Sequence, residues 1–261
     1  MPPITPMVRN LLILNVLMYF ATNRLFEENL FSLHDIRSDY FKPFQFVTHM
    51  FMHSQQSMIH LFSNMFSLFI FGPMLERHWG GKRFLTFYLI TGIGASLLYS
   101  GIRYVEVSNT LEYASAFLQN HDPIDFKRFL DSAGANIKPL EQFLVDFYRN
   151  PTNTAAINQA TGITNQVSNA VINGQMVGAS GAVFGILMAF GMLFPNTELM
   201  LLFIPFPIKA KYFVLLYGAY ELYAGVQRAP GDNVAHFAHI GGMLFAFILL
   251  KLWERNRKNF Y

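Results

Sequence analysis

Two short polar groups interrupt apolar stretches of this sequence and supply the side chains of nucleophilic catalysis. Ser180 lies among small residues in Gly178-Ala179-Ser180-Gly181, and His239 lies in a later apolar stretch. A serine hydroxyl alone is a weak nucleophile, but an adjacent imidazole can accept its proton. Such a pair would attack a carbonyl carbon, and a helix that begins at Ser180 would offer free backbone N–H groups to the resulting oxyanion.

A third polar group, His60 with Asn64, could complete this chemistry. The two residues are four positions apart, so a helix places their side chains on one face. Both can donate hydrogen bonds to the negative oxygen of a tetrahedral intermediate. Taken singly, each group also has a structural explanation, because a serine often bonds back to its own helix and a histidine within a membrane often joins two helices.

Small residues favour the catalytic interpretation because they allow two helices to approach. Gly181 and Gly185 form a smooth face on one segment, and Gly242 and Ala246 form another. Such faces permit close backbone contact in lipid. Contact between them would bring the serine and the histidine together.

The composition indicates a membrane protein. The 261 residues are 52% hydrophobic and 13% charged, with a mean hydropathy of +0.28, whereas soluble domains carry roughly 25% charge. These values argue against a disordered chain, a nucleic-acid-binding module and a typical cytosolic enzyme. The chain has no cysteine, which excludes disulfides, thiolate metal sites and a cysteine nucleophile.

Six apolar segments with lengths near that of a membrane span are predicted to form helices. They lie at about 7–22, 58–75, 84–101, 176–195, 212–226 and 234–253. No signal-peptide cleavage site follows the first, so it is expected to be retained. Both termini are predicted to be cytoplasmic because Lys and Arg are concentrated on the side that carries them. These cations are Arg9, Arg77, Lys82, Arg83, Lys209, Lys211, Lys251, Arg255, Arg257 and Lys258.

A polar stretch at about 102–175 separates the third and fourth spans and should lie outside the cytoplasm. Apolar positions at helical spacing between 126 and 147 predict a small amphipathic helical insertion. The Asn/Thr-rich tract after residue 150 is expected to be a loop or weakly helical. The chain, 1–261, is therefore predicted to be a single membrane domain with an insertion, because no separate core is large enough for a second domain.

Three motifs lie in order on the second, fourth and sixth spans: His-Leu-Phe-Ser-Asn at 60–64, Gly-Ala-Ser-Gly at 178–181 and Ala-His-Ile-Gly-Gly at 238–242. Together they resemble the motifs of the rhomboid intramembrane serine proteases. Glu-Arg-His-Trp-Gly at 76–80 is similar to the family's loop after the second helix, with His78 where an arginine is often found. The resemblance covers about 45–250, apart from the insertion.

The resemblance implies an all-α membrane protein, a six-transmembrane-helix rhomboid bundle with an extra-cytoplasmic insertion between the third and fourth helices. It implies a serine endopeptidase that cleaves the transmembrane segments of single-span membrane proteins through an acyl-enzyme. Ser180 would be the nucleophile and His239 the general base. His60, Asn64 and the backbone N–H of Ser180 would form the oxyanion hole, and neither a cofactor nor nucleic acid would take part.

Supporting roles are expected for Gly178, Gly181, Phe184 and Gly242. Phe184 falls where the family has an aromatic residue beside the catalytic histidine, and simple core packing would explain it equally well. His236 could compete with His239 as the base, but the Ala-His-x-x-Gly pattern favours His239.

The remaining ionisable residues receive structural interpretations. His49, His53 and His60 could suggest a metal site, but no carboxylate or cysteine accompanies them, so no metal is predicted. Glu221 on the fifth span is expected to be neutral or hydrogen-bonded within the packing. Its functional interpretation is a stabilising contact near a moving helix.

Two segments are expected to take part in substrate entry. The fifth span and the connection at 227–233, which contains Pro230 and Gly231, are the predicted moving parts. The apolar, aromatic loop at about 23–57 is expected to lie partly in the membrane surface.

Two other functions compete with proteolysis. One is a catalytically inactive relative that binds or chaperones membrane segments, although the serine and the histidine are both present. The other is a small transporter or channel, but the sequence shows no inverted repeat. In each case the protein is expected to be a multi-pass protein of a lipid bilayer. A bacterial inner membrane is the predicted location, and the membrane of an organelle is the alternative.

Overall fold

The chain folds mainly into helices. A computed structural model describes residues 3–200, 206–227 and 234–258. Over these residues the α-helices are α1 (Pro6–Ala21), α2 (Glu28–Phe31), α3 (Gln45–Thr48), α4 (Met58–Trp79), α5 (Gly81–Asn120), α6 (Pro123–Ser132), α7 (Glu141–Arg149), α8 (Thr154–Ile172), α9 (Ser180–Leu193), α10 (Ala210–Gln227) and α11 (His236–Lys258). The short strands β1 (Leu33–His34) and β2 (Gln175–Met176) form one antiparallel pair, and β3 (Glu198–Leu199) and β4 (Ile208–Lys209) form another.

Length and hydropathy single out α4, α5 and α11, among the described helices, as able to cross a membrane. Helices α1 and α9 are also apolar but shorter, with 16 and 14 residues, and α10 has 18 residues. Each apolar segment predicted from the sequence overlaps one of these helices. The predicted moving connection after α10, with Pro230 and Gly231, lies outside the described residues beyond Gln227.

Helix α9 lies at the centre of the bundle, where it contacts α4, α5, α10 and α11. Glycines allow these neighbours to approach closely: Gly185 faces Thr91 of α5, and Gly191 faces Val214 of α10. The apolar segment was expected to begin near 176, but the helix begins at Ser180. The helix begins later than expected because Gly178 adopts a φ of +131°, a value that does not occur in an α-helix.

Helix α5 extends well beyond the predicted third span. Its 40 residues make it about 60 Å long, roughly twice the thickness of the hydrocarbon core of a bilayer. The predicted span ends near residue 101, but the helix continues to Asn120, and His121 ends it with a left-handed φ of +55°. The polar stretch that was expected from residue 102 therefore begins as a continuation of this helix.

The distal half of α5 packs with α6, α7 and α8 around a second apolar cluster. The buried members are Ala114, Phe117, Phe126, Phe129, Leu130, Leu144, Phe147 and Ala160. The Asn/Thr-rich tract, which was expected to be a loop or weakly helical, is the 19-residue helix α8. Its helical form follows from a cap and a buried face: the Asn153 side chain accepts hydrogen bonds from the first turn, and Ala160 and Thr164 lie buried one turn apart.

The loop between α1 and α4 is fastened to α5 and to the segment before α9. The Asp35 carboxylate accepts hydrogen bonds from Arg37 at 2.7 and 2.8 Å, and Arg37 also donates to the Ser108 hydroxyl of α5 at 2.8 Å. Strand β1 of this loop pairs with β2, where Leu33 faces Met176. The loop is therefore connected through its backbone to the turn that precedes Ser180.

The Glu-Arg-His-Trp-Gly motif ends a helix rather than forming a loop. Its first four residues are the last turn of α4, and Gly80, with a φ of +80°, is the single residue between α4 and α5. The Glu76 carboxylate accepts hydrogen bonds from the N–H groups of Met7 at 2.9 Å and Val8 at 2.8 Å, and from the Thr5 hydroxyl. An anion at a helix N-terminus satisfies free N–H groups and complements the helix dipole. Glu76 thus fixes the start of α1 on the end of α4.

Candidate active site

Ser180 is the first residue of α9, and a glycine turn precedes it. Gly178 has a φ of +131°, which residues with a β-carbon rarely adopt. Its N–H donates to the carbonyl of His49 at 3.0 Å, which ties the turn to the loop before α4. Ser180 is partly exposed. The start of α9 therefore carries a partly accessible hydroxyl. It also carries backbone N–H groups that have no acceptor within the helix.

His60 of α4 lies against this turn. A β-carbon at Gly178 would be 2.9 Å from Nε2 of His60 and 3.7 Å from Oγ of Ser180, so glycine leaves room for the imidazole. The other ring nitrogen, Nδ1, accepts a long hydrogen bond of 3.5 Å from the N–H of Ser54. An N–H donor at Nδ1 favours the tautomer with its proton on Nε2. That tautomer presents a donor toward the turn.

Asn64 lies one turn further along α4 and is buried. Its amide nitrogen donates to the carbonyl of His60 at 2.8 Å. An amide nitrogen carries two N–H bonds, so this contact uses one of them. The structure therefore places His60 at the turn before Ser180 and holds Asn64 within its own helix.

Helices α9 and α11 touch at glycines next to the two predicted catalytic residues. A β-carbon at Gly242 would overlap the carbonyl oxygen of Gly181, the residue after Ser180. A β-carbon at Gly181 would lie 3.6 Å from the carbonyl oxygen of Ala238, the residue before His239. Within the described residues, no hydrogen bond joins the Ser180 hydroxyl to the His239 ring. The structure brings their helices together without engaging this pair directly.

The ring of His239 is held on two sides. It stacks on Phe184 of α9, with centroids 4.1 Å apart and planes 9° apart. Its Nδ1 lies 2.8 Å from Oε2 of Glu221 on α10. When Nδ1 carries the ring proton and donates it to the carboxylate, Nε2 keeps the lone pair that a general base requires.

Glu221 is a site residue that the sequence-based interpretation treated as packing. Its side chain is buried, and Oε2 also lies 2.6 Å from Nδ1 of His236. Two imidazoles thus share one carboxylate oxygen, which provides the partners that a buried acid needs. The signal in the sequence was an ionisable residue within an apolar span, which marks a functional site by default. The sequence-based interpretation expected Glu221 to be neutral or hydrogen-bonded, and it overlooked this glutamate as a partner for the base.

The same three residues form a group of possible metal ligands in the described part of the chain. The donor atoms of Glu221, His236 and His239 lie within 4.8 Å of one another. Histidine nitrogen and carboxylate oxygen are both ligands that zinc accepts. The direct contacts of 2.6 and 2.8 Å also satisfy these atoms as hydrogen bonds. The sequence-based interpretation did not predict a metal at these residues.

His49 and His53, which were considered as ligands together with His60, differ in their neighbours. Nδ1 of His49 is 2.8 Å from the carbonyl oxygen of Gln45. The His53 ring lies beside that of His60, with centroids 5.3 Å apart. Both residues are buried, and the carbonyl of His49 accepts the Gly178 N–H.

Comparison with known proteins relates the sequence of this chain to one family. The family model described as Rhomboid domain matches residues 40–108 and 148–255, which include the two histidine motifs, the serine motif and Glu221. An uncharacterized mitochondrial rhomboid protein of Schizosaccharomyces pombe is 25% identical over 209 residues, which cover 77% of this chain and 50% of that protein. The chain thus spans about half the length of this curated relative. The second apolar cluster falls largely between the two matched ranges.

Proposed function

Because this chain belongs to the rhomboid domain family of integral membrane proteins, we propose that it is an intramembrane serine endopeptidase. Its substrates are single-span membrane proteins, which it cuts in or near the transmembrane segment. Six helices cross the bilayer, namely α1, α4, α5, α9, α10 and α11. Both termini lie on the cytoplasmic side, α6 to α8 lie on the opposite side, and a bacterial inner membrane is the proposed location.

One contact supports this proposal most directly, the close approach of α9 and α11 at Gly181 and Gly242. Ser180 precedes the first glycine, and His239 lies about one turn before the second. The hydroxyl and the imidazole therefore lie on two helices, and a contact close to both residues sets the distance between these helices. In enzymes without substrate, catalytic hydrogen bonds are often long and tighten in the complex, so this pair is proposed to engage when substrate binds.

The proposed reaction is acyl transfer to Ser180 followed by hydrolysis. The hydroxyl oxygen attacks the peptide carbonyl while Nε2 of His239 accepts the proton. The negative oxygen of the tetrahedral intermediate receives hydrogen bonds from Nε2–H of His60, the amide of Asn64 and the backbone N–H of Ser180. His239 then donates its proton to the leaving amine, and water releases the acyl group. The substrate segment must unwind first, because a helix hides its carbonyl groups.

The test is cleavage of a purified single-span substrate in liposomes. We expect S180A and H239A each to reduce kcat by at least about 10³-fold, as the loss of a catalytic serine or histidine does in serine proteases. Ser115 is exposed on α5, so S115A is the matched control and should cleave normally. A fluorophosphonate should label the wild type and not S180A.

Two outcomes would contradict the proposal. Cleavage by S180A at the wild-type rate would show that another group performs the reaction. Tight binding of the substrate segment by the wild type, without cleavage and without fluorophosphonate labelling, would instead favour the inactive binder or chaperone.

A further inference from the structure

The Glu221 carboxylate joins two histidines from a different helix. It is 3% exposed, and its Oε2 lies 2.8 Å from Nδ1 of His239 and 2.6 Å from Nδ1 of His236. The acid belongs to α10 and both imidazoles belong to α11. An ionised carboxylate is costly at such depth unless donors surround it. Here both contacts are to ring nitrogens, and one of those rings is the proposed general base.

The position of the acid determines which His239 nitrogen can act as a base. A neutral imidazole carries one proton, on either Nδ1 or Nε2. An acceptor at Nδ1 favours the tautomer that leaves the lone pair on Nε2. When Nε2 takes the serine proton, the ring becomes a cation and the same carboxylate becomes its counter-charge. The acid therefore favours both the reactive tautomer and the charged intermediate.

Two neighbours restrict this arrangement further. The Phe184 ring lies parallel to that of His239, with an interplanar angle of 9°, and so limits its tilt. His236 contacts the same carboxylate oxygen and thereby restrains the acid itself. A contact made only for packing would not require the oxygen to lie in hydrogen-bonding range of both Nδ1 atoms.

On the basis of the proposed protease function, we propose that Glu221 is a positioning residue for His239, with His236 anchoring its carboxylate. When substrate binding engages Ser180 with His239, the series runs from Ser180 through His239 to Glu221. Glu221 itself touches neither the substrate nor the reacting atoms.

The test compares wild type, E221Q, E221D and S180A in the same liposome assay, with thermal unfolding as a check of folding. Glutamine keeps the shape but can present an N–H group to Nδ1, which favours the wrong tautomer. Replacing the equivalent acid of a soluble serine protease by its amide lowers kcat roughly 10⁴-fold, and we expect a loss of at least about 10²-fold here. KM should stay within about twofold, because Glu221 does not contact substrate. E221D keeps the charge, but its side chain is one methylene shorter, so its kcat should lie at least about tenfold above that of E221Q and still below that of the wild type.

The matched control is E112Q, the same change at an exposed position of α5, and it should leave kcat, KM and unfolding temperature unchanged. If E221Q does not fold, E221D alone decides: a reduced kcat at an unchanged unfolding temperature supports the role, and an unchanged kcat overturns it.

The remaining outcomes separate this inference from the proposed function. Wild-type kcat in E221Q with an inactive S180A would overturn the positioning role and leave the protease assignment intact. Normal cleavage by S180A would overturn both. Treatment of the wild type with 1,10-phenanthroline should change nothing. Loss of activity that zinc restores would overturn the inference, because an ion would then join the three side chains.

Discussion

The carbonyl oxygen of Gly181 occupies the space that a β-carbon of Gly242 would need. This is a backbone contact between two helices, and the nearest chemistry-bearing residues on either side of it are Ser180 and His239. No flexible side chain can move to make room for an added methyl group here, because the atom that it would meet belongs to the backbone. The helices would have to separate at the point that sets the spacing of the proposed catalytic pair.

We therefore expect G242A to fold but to lose about 10²-fold in kcat, since a displacement near 1 Å at a catalytic pair has effects of this size. The measurement is cleavage of the single-span substrate together with the rate of fluorophosphonate labelling. G162A is the matched control, because a β-carbon at Gly162 of α8 would meet no atom within 4 Å. Wild-type kcat in G242A would mean that the contact does not set the catalytic spacing.

Stacking of Phe184 on His239 leads to a second prediction. The centroid distance of 4.1 Å indicates an aromatic contact worth about 1 kcal/mol beyond simple burial. F184L removes the flat face, and we expect kcat to fall about fivefold with KM unchanged. F190L is the control: Phe190 is buried on the same helix but packs on Phe71 at 5.0 Å. It should lower the unfolding temperature and leave kcat of the folded protein unchanged, whereas equal kcat losses in both variants would assign Phe184 to packing alone.

The sequence predicts which residues take part in this site better than it predicts which of them contact one another. Ser180, His60 and His239 stand in local motifs, so their residue types and spacing are visible without coordinates. The partnership of Glu221 with His239 depends on which face of α10 turns toward α11, and that rotation is decided by packing across the whole bundle. The hydrophobic pattern of an apolar span does not report this rotation, because all faces of such a helix are similarly apolar.

The fold shows the same division between local and long-range information. Apolar segments mark where helices lie, but α5 continues to Asn120 because its distal half gains a second apolar cluster to pack against. The composition of the Asn/Thr-rich tract predicts a loop or a weak helix, and an N-cap with a buried face makes it helix α8. Tertiary burial overrides weak helix propensity in such segments.

Glu76 is predicted to matter for stability rather than for catalysis. Its carboxylate receives two backbone N–H groups at the start of α1 and the Thr5 hydroxyl. E76Q loses the charge and one acceptor oxygen, so we expect the free energy of unfolding to fall by about 1–3 kcal/mol. Thermal unfolding in detergent is the measurement, with E112Q on the exposed face of α5 as the control. Equal unfolding temperatures for wild type and E76Q would contradict this role.

The Asp35–Arg37 pair should make stability depend on pH. Burial alone would raise the pKa of Asp35, but hydrogen bonds and charge from Arg37, with a further contribution from Arg103, lower it below its ordinary value of 3.8. A carboxyl whose pKa is lowered by folding adds stability above its unfolded pKa and loses it as the pH falls through the folded value. We expect D35N to reduce the free energy of unfolding by roughly 1–2 kcal/mol near neutral pH.

This deficit of D35N should shrink as the pH falls from the ordinary pKa of 3.8 through the lower folded value, where the wild-type carboxyl becomes neutral like the amide. The measurement is the unfolding temperature of both proteins in detergent across the acidic range, and the two curves should converge at its lower end. D39N, at an exposed position four residues along the same loop, is the matched control and should follow the wild type throughout. A constant gap between wild type and D35N at every pH would show that Asp35 acts through its shape and packing, because only an ionised carboxylate gains from the charge of Arg37.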